Sequence, residues 1–342
     1  MNRKPAGKMT ALALVLGALV LIAVRAPATA APITLTYANF PPASTFPCVQ
    51  MERWSREVEK RTNGQVKINT FPGGTLLAAK NIFDGVISGT ADIGNFAMSY
   101  QPGRFPVSEA ADLPLGLPSA RVASLVLTDL IEKHQPKEFE KVKILTLFTC
   151  PPADFMTSKP VRTLKDLKGM ELRVSGTGVD VVKNLGGIPI AMPQSETPEA
   201  IQKGIVKGIV SSMEVLKDMN YAAYCPYATD TSLFIVSFAV VMNREKWNAL
   251  PADVKKVMDD LRVEQAEWTG KYVDNHVSEA LSWSKQKYNH QVIELPAADK
   301  AEIKKLVRPM IDAYVKKVSA QGLPGAEIIA DIERLTKKYD KK

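Results

Sequence analysis

Apolar and polar residues alternate in short runs along the first half of the chain, and segments with helical spacing lie between the runs. Residues 33–39 (ITLTYAN) and 66–71 (VKINTF) show the two-residue period of β-strands. Between them, residues 50–61 repeat apolar positions three or four residues apart, which predicts an amphipathic helix. This βαβ order, which continues along the chain, indicates a mostly parallel sheet with helices on its faces. Further helices are predicted at 79–88 and 120–134, strands at 91–98 and 142–149, and a Pro- and Gly-rich loop at 102–118.

The second half of the chain repeats this plan and then becomes helical. Residues 235–242 (IVSFAVVM) are almost all apolar, which predicts a buried strand that crosses between two lobes. Residues 252–289 carry apolar side chains at helical spacing without an interior proline, and a helix of this length would extend about 50 Å. The other elements predicted here are strands at 155–158, 170–174, 209–213 and 291–294, helices at 179–185, 198–203 and 243–249, and two terminal helices.

The N-terminus has the pattern of an export signal. Three basic residues precede an uncharged apolar run at 11–24, and small residues then lead to Ala30. The apolar run is too short for a comfortable bilayer span, and no cysteine stands at the cleavage point to carry a lipid. We therefore expect cleavage after Ala30 and a soluble protein in a bacterial periplasm.

About 310 residues remain after this cleavage, which is more than one hydrophobic core usually serves. The predicted fold class is α/β with two lobes, each a mixed β-sheet flanked by helices, and with the long helix spanning both. We assign residues 31–150 and 238–280 to lobe I, and residues 151–237 and 281–342 to lobe II.

Charge and composition argue against several classes of function. Removal of residues 1–30 takes away four basic residues and no acid, which lowers the formal net charge from +8 to +4. Lysines and glutamates are interspersed along the helical segments, and no basic patch is interleaved with aromatic residues, so we expect no nucleic-acid partner. The three histidines are far apart and have no cysteine or histidine neighbour at metal-site spacing, so we expect neither a metal nor another cofactor.

Three cysteines, Cys48, Cys150 and Cys225, allow at most one internal disulfide, and the sequence leaves all three pairings open. An enzyme is the competing class. The chain has no G-x-S-x-G elbow, P-loop, HExxH or CxxC motif. Cys150 could be a reactive thiol beside two prolines, although a buried and inert cysteine is commoner.

The segment 159–178 (KPVRTLKDLKGMELRVSGTG) is the strongest candidate for a binding site. Thr163 can cap a short helical turn that Gly169 ends, and a strand then places Arg173 at its end. A guanidinium there offers a rigid fork of donors to a carboxylate. Ser175 and the glycines after it leave backbone N–H groups at the start of the next helix for the same anion.

Five segments in this order resemble the periplasmic solute-binding subunit of a tripartite ATP-independent periplasmic (TRAP) transporter, in the DctP-like family. They are residues 54–76, 89–106, 159–174, 203–217 and 240–258. The resemblance implies a two-lobed periplasmic-binding-protein fold whose hinge closes on an organic acid, and delivery of that acid to the small and large integral-membrane permease subunits. It also implies a bidentate salt bridge from Arg173 to the ligand carboxylate. We expect a monomer.

The sequence departs from the better-known binders of sugar acids and dicarboxylates at two places. Residues 148–155 (FTCPPADF) lack the second arginine that these relatives often carry, and Ser211 stands where they often have an asparagine. Both departures argue against a small, doubly charged ligand. Three aromatic residues, Phe148, Phe155 and Phe238, would suit an apolar or aromatic monocarboxylate, although for each of them a place in the core is the commoner role.

Glu214 would be costly if it were buried alone, so it reaches solvent, pairs with a lysine, or meets an amine on the ligand. A periplasmic ligand-binding sensor for a signalling receptor remains an alternative function that the sequence does not separate from transport. Further polar residues that follow predicted strands are candidate ligand contacts: Asn39, Ser44, Asn95, Tyr100, Gln194 and Ser195.

Overall fold

The computed structural model describes residues 31–341, so the predicted export signal lies outside the described residues. The strands are β1 (Ile33–Asn39), β2 (Val66–Phe71), β3 (Ile93–Ala97), β4 (Val142–Thr149), β5 (Asp154–Thr157), β6 (Glu171–Val174), β7 (Ile188–Ala191), β8 (Gly208–Ser211), β9 (Tyr227–Asp230), β10 (Ser237–Asn243) and β11 (Gln291–Glu294). The helices are α1 (Phe46–Arg61), α2 (Ile82–Ile87), α3 (Pro106–Ala111), α4 (Ala120–His134), α5 (Gly178–Asn184), α6 (Thr197–Gln202), α7 (Val215–Asp218), α8 (Arg244–Ala249), α9 (Ala252–Tyr288), α10 (Ala297–Ser319) and α11 (Gly325–Asp340).

The strands form two mixed sheets. The first sheet has the order β2-β1-β3-β10-β4, with β1 parallel to β2 and β3, and β10 antiparallel to β3 and β4. The second sheet has the order β11-β9-β5-β8-β6-β7, with β6 parallel to both of its neighbours. The predicted α/β architecture of two sheets flanked by helices is confirmed.

Two extended segments join the sheets and run side by side. Residues 150–153 lead from β4 to β5, and residues 231–236 lead back from β9 to β10. Their backbones are hydrogen-bonded, from Cys150 N–H to Val236 O at 3.1 Å and from Ala153 N–H to Phe234 O at 2.7 Å. The apolar run at 235–242 therefore contributes its first residues to the connection and the rest to the buried strand β10.

The longest helix, α9, has 37 residues and an axial length of about 55 Å. Its first two thirds contribute Val254, Leu261 and Val273 to the core around the first sheet. Its last third packs Val277 and Leu281 against the second sheet. The long helix that the sequence predicts is present, and it contacts the cores of both sheets.

The structure differs from the sequence prediction mainly in short elements. Helix α1 begins at Phe46 instead of residue 50, because Pro47 occupies the first turn, where a missing N–H costs nothing. The predicted loop at 102–118 contains α3, which also has proline in its first turn. Helix α11 packs Ile328 and Ile332 into the core of the first sheet, whereas the sequence pattern assigns this segment to lobe II.

Between residues 31 and 341, no helix is both long enough and apolar enough to span a bilayer. All three cysteines are buried as free thiols, so none of the three possible disulfides is formed.

Candidate functional site

A pocket of about 60 Å³ lies between the two sheets, where the segments after several strands converge. The first sheet contributes the turn after β1 and the turn after β3. The second sheet contributes the ends of β6 and β8 and the loop after β7. The lining residues include Phe40, Phe46, Tyr100, Cys150, Arg173, Ser175, Gln194, Ser211, Ser212, Glu214, Asp218, Met219, Val236 and Phe238.

Arg173 is held rigidly at the end of a central strand. It lies on β6, opposite Ile190 of β7 and Ile209 of β8, and only 3 % of its surface is exposed. Its Nε and Nη2 donate to the carbonyl of Met192 at 3.1 and 2.8 Å. No carboxylate of residues 31–341 forms an ion pair with it. A buried guanidinium with spare donors and no counter-charge favours an anionic ligand.

The segment before Arg173 forms as its sequence predicts. Thr163 N–H donates to the carboxylate of Asp166 at 2.9 Å, which caps the turn at Leu164–Leu167. Gly169 then has φ +73°, the left-handed conformation that favours glycine at the end of a helical turn. This turn sets the entry into β6 and thereby the position of Arg173.

The loop after β6 places Ser175 in the pocket wall, as the sequence predicts, but leaves fewer free N–H groups than expected. The N–H of Gly178 donates to Ser175 O at 3.2 Å, and that of Val179 donates to Gly176 O at 3.1 Å. The first turn of α5 therefore satisfies these donors within the chain, and the guanidinium is the main anion-binding group.

An aromatic wall lines the opposite side of the pocket. Phe238 stacks on Phe40 with ring centroids 6.4 Å apart and meets Phe46 edge-on at 6.1 Å. Tyr100 meets Phe40 at 5.4 Å. Phe148 stacks behind Phe238 at 5.0 Å and is fully buried, so it supports the wall and does not line the pocket. The wall suits a ligand with a flat apolar body.

Glu214 faces the same pocket from the turn between β8 and α7. It is 1 % exposed, and Ser212 Oγ donates to its Oε1 at 2.7 Å, whereas Oε2 has no hydrogen-bond partner. Burial, with a smaller contribution from the nearby Asp218, raises the pKa of Glu214 to about 7. The predicted pairing with a lysine is not found among the described residues.

Gln194 and Tyr100 connect the two sides of the pocket. The backbone N–H of Gln194 donates to Tyr100 Oη at 2.9 Å, and the Gln194 side-chain Nε2 is buried without a partner. Ser211, at the end of β8, also lines the pocket.

Other predicted contacts lie away from the pocket. Asn95 Nδ2 donates to Asn39 Oδ1 at 2.9 Å, and Asn39 Nδ2 donates to Pro47 O at 2.8 Å, so these amides hold β1, β3 and α1 together. Phe155 belongs to the core of the second sheet, and the Ser44 hydroxyl donates to Asp218 O at 3.4 Å. Ser195 is exposed beside Gln194.

Sequence reasoning missed a buried pair of side chains at the pocket edge. Asp218 Oδ1 lies 2.6 Å from His276 Nε2 on α9, and Asp218 Oδ2 accepts from Phe46 N–H at 3.3 Å. The hydrogen bond to Asp218 raises the pKa of His276. The two residues are 58 positions apart, so no local spacing could have indicated their contact.

The family model for bacterial extracellular solute-binding proteins, family 7 (DctP), matches residues 37–317. The chain belongs to this family. The predicted resemblance to TRAP solute-binding subunits is confirmed, and the family 7 protein is a solute-binding protein and not an enzyme.

A TRAP periplasmic solute-binding protein from Desulfovibrio salexigens, in an open complex, is 53 % identical to this family 7 protein, covers 91 % of it and 98 % of its own chain, and has a TM-score of 0.83. A marine metagenome TRAP solute-binding protein specific for aromatic acid ligands is 26 % identical, with 90 % and 99 % covered and a TM-score of 0.86. The C4-dicarboxylate-binding periplasmic protein DctP of Rhodobacter capsulatus is 23 % identical, with 94 % and 98 % covered. The family therefore indicates an organic acid as ligand and a periplasmic location.

Proposed function

We propose that this family 7 protein captures an organic monocarboxylate with an apolar or aromatic body in the pocket between its sheets and delivers it to the small and large permease subunits of a TRAP transporter. The observation that carries the proposal is Arg173, a buried guanidinium without a counter-charge that faces an aromatic wall. In this proposal Arg173 binds the carboxylate through its remaining donors.

The charges around the pocket support one carboxylate over two. Among the described residues that line the pocket, Arg173 is the one with a cationic side chain, and Glu214 and Asp218 are acidic. A second carboxylate on the ligand would lose its hydration without gaining a cationic partner, and Glu214 and Asp218 would repel it. The ring-bearing wall would instead remove an apolar body from water, at about 25 cal/mol per Å².

The relatives support the same ligand class. The marine metagenome protein that is specific for aromatic acid ligands is 26 % identical to this chain, in a match that covers 90 % of this chain. The DctP relative is named for C4-dicarboxylates, but residues 148–155 of this chain lack an arginine that could serve a second carboxylate.

We further propose that the protein is exported through a signal cleaved after Ala30, acts as a monomer, and closes on its ligand about the paired segments that join the sheets. Contacts across the pocket support a closed arrangement. Tyr100 Oη accepts from Gln194 N–H at 2.9 Å, and the Thr177 hydroxyl donates to Asp112 O at 2.8 Å. Closure would exclude water from the Arg173–carboxylate pair and strengthen it.

Thermal unfolding and calorimetric titration of residues 31–342 with mono- and dicarboxylates would test the proposal, after unfolding and refolding to remove a co-purified acid. An acid at about 100 times its Kd adds about 2.7 kcal/mol of stability and raises Tm by a few degrees. We expect such shifts for one family of monocarboxylates. Absence of a shift with every acid would contradict the proposal.

Arg173→Ala should weaken acid binding by about thirtyfold or more, because truncation of a buried, hydrogen-bonded charge pair costs about 2–5 kcal/mol. Arg173→Lys should recover little of this, since a lysine lacks the rigid fork. Arg56→Ala, at an exposed arginine on α1, is the matched control and should bind as the wild type does. An unchanged Kd in Arg173→Ala would overturn the assignment of this residue.

A further inference from the structure

The pocket contains an acceptor as well as the arginine. Glu214 is 1 % exposed, lines the pocket and uses only one carboxylate oxygen, Oε1, which accepts from Ser212 Oγ at 2.7 Å. Its Oε2 is buried without any partner in the described part of the chain. A carboxylate oxygen without a donor in a buried site costs free energy, and a hydrogen-bond donor at Oε2 would recover that cost.

Within residues 31–341 no side chain donates to Oε2, although Gln194 Nε2, another donor that lines the pocket, is also buried without a partner. Asp218 is the nearest acid, Cys150 lies on the same wall, and His276 already contacts Asp218 at 2.6 Å. Arg173 donates to Met192 O and is not paired with Glu214. A ligand in the pocket can therefore supply a donor to Oε2 and an acceptor to Gln194 Nε2.

We propose that Glu214 Oε2 accepts a hydrogen bond from a hydroxyl or ammonium group of the bound acid, so that the solute is a hydroxy- or amino-substituted carboxylate and not an unsubstituted one. This inference rests on the proposed function, because Arg173 must hold the ligand carboxylate in the same pocket. Arg173 and Glu214 would then bind the two polar ends of one ligand, and its apolar body would pack against the aromatic wall.

Such a site selects against ligands that lack a hydrogen-bond donor for Oε2. A ligand that lacks the donor leaves Oε2 desolvated and unpaired, and buried polar groups of this kind reject such analogues strongly. A methyl ether in place of the hydroxyl has the same defect and adds bulk to a pocket of about 60 Å³. A second carboxylate would meet the negative charges of Glu214 and Asp218.

Titration calorimetry with matched acids tests the inference. One series is 3-hydroxybenzoate, 3-methoxybenzoate and benzoate; another is mandelate, α-methoxyphenylacetate and phenylacetate; L-phenylalanine supplies an ammonium. In at least one series we expect the donor-bearing acid to bind ten times more tightly than its ether and its unsubstituted parent, since hydrogen bonds to charged groups are the stronger ones.

Two variants assign the preference to Glu214. Glu214→Met removes the acceptor, and we expect it to bind the parent acid at least as tightly as the wild type while losing the tenfold preference. Glu214→Gln keeps an acceptor without the charge, so it should retain most of the affinity for a hydroxy acid and lose at least a hundredfold for an amino acid. Glu199→Gln, at an exposed glutamate on α6, is the matched control and should change neither.

The unliganded Glu214→Met variant should melt no lower than the wild type, because it removes an unpaired buried acid; a marked loss of stability would instead assign Glu214 a structural role and overturn the inference. Equal affinity of wild-type protein for donor, ether and parent would also overturn it, while leaving Arg173-dependent acid binding and the proposed function intact. A preference that survives in Glu214→Met would overturn it as well. Failure of every acid to bind would overturn both proposals.

Discussion

Arg173 and Glu214 are buried opposite charges that line one pocket without pairing with each other. Within residues 31–341, Arg173 bonds to the carbonyl of Met192 and Glu214 to the hydroxyl of Ser212. A direct ion pair would have satisfied both side chains and left little for a ligand. Their separation leaves spare donors at one place and a spare acceptor at another, which gives the pocket a polarity that a ligand can match.

The sequence identifies Arg173 because a strand end followed by a glycine-rich loop is visible in a short segment. It does not identify the role of Asn39 and Asn95. These residues are directly opposite each other in the β1–β3 register, so their amides bond across the strands instead of facing the pocket. Strand pairing decided their direction, and pairing depends on residues far apart in the chain.

Three buried carboxyl groups predict how stability depends on pH. Burial raises the pKa of Asp112 to about 8, that of Glu214 to about 7 and that of Asp154 to about 6. In the unfolded chain these groups ionise near pH 4, so the folded state binds more protons between about pH 4 and 8. The free energy of unfolding should therefore decrease as pH rises through that window, as urea titrations at pH 5, 6, 7 and 8 would measure.

Asp112→Asn should flatten this profile at its upper end, because the amide can still accept from the Ser237 hydroxyl but does not titrate. Glu140→Gln, at an exposed glutamate, should leave the profile unchanged. A wild-type stability that increases from pH 5 to pH 8 would contradict the predicted direction.

Asp218 joins three helices at the edge of the pocket. It ends α7, accepts from the Phe46 N–H at the start of α1, and contacts His276 on α9 at 2.6 Å. Helix α1 packs on the first sheet, and α7 follows β8 of the second sheet. One buried carboxylate therefore connects elements from both sides of the pocket to the long helix. We expect this residue to matter for stability and for ligand affinity together.

Asp218→Asn should lower the free energy of unfolding by about 1–3 kcal/mol, because it weakens a buried hydrogen bond to a group that carries charge. The contribution of the histidine can be isolated with a double-mutant cycle that includes His276→Gln. We expect a coupling energy of at least 0.5 kcal/mol by urea unfolding. Additive effects of the two substitutions would show that the pair contributes no mutual stabilisation.

Long elements are predicted well from the sequence, whereas short elements are not. The periodic pattern of α9 extends over ten turns, so both its existence and its ends are predicted closely. Strand β9 and helix α7 have four residues each, and α3 has six, which is too short for a hydrophobic period to appear. Of these three elements, α7 contributes Val215 and Asp218 to the pocket lining, so this part of the lining was harder to predict than the long elements.

Gly176 and Ser99 lie close together across the gap between the two sheets. Gly176 follows β6 in the second sheet and has φ +58°, and a Cβ atom built there would lie 2.6 Å from Ser99 Cβ, which follows β3 in the first sheet. This distance is shorter than real Cβ contacts allow. The arrangement of the two sheets in this structure therefore requires a residue without a side chain at position 176.

Gly176→Ala should weaken acid binding by about tenfold or more, because the added methyl group would collide with Ser99 and keep the two sides of the pocket apart. Titration calorimetry would measure the loss of affinity. Gly64→Ala is the matched control, since Gly64 has φ +76° but no atom within 4 Å of a built Cβ, and it lies between α1 and β2, outside the pocket lining. Both substitutions carry a backbone penalty of about 1 kcal/mol in unfolding. Equal affinity of the two variants for the ligand would contradict the role of Gly176 in closure.

The overall architecture was predictable because strand and helix periods repeat along the whole chain. The sheet against which each helix packs was not predictable. The apolar face of α11 fits either sheet by pattern alone, yet Ile328 and Ile332 pack beside α4 in the first core. A chain that passes between sheets more than once gives no local signal of where its last segment packs.

Because α9 belongs to the cores of both sheets, neither core can lose its structure without exposing one end of this helix. The two halves should therefore melt as a single cooperative unit despite having separate sheets. Scanning calorimetry should show one heat-capacity peak whose van't Hoff and calorimetric enthalpies agree. A motion that opens the pocket would then be a bend within one thermodynamic unit, and a ligand that binds between the sheets would stabilise the whole chain at once.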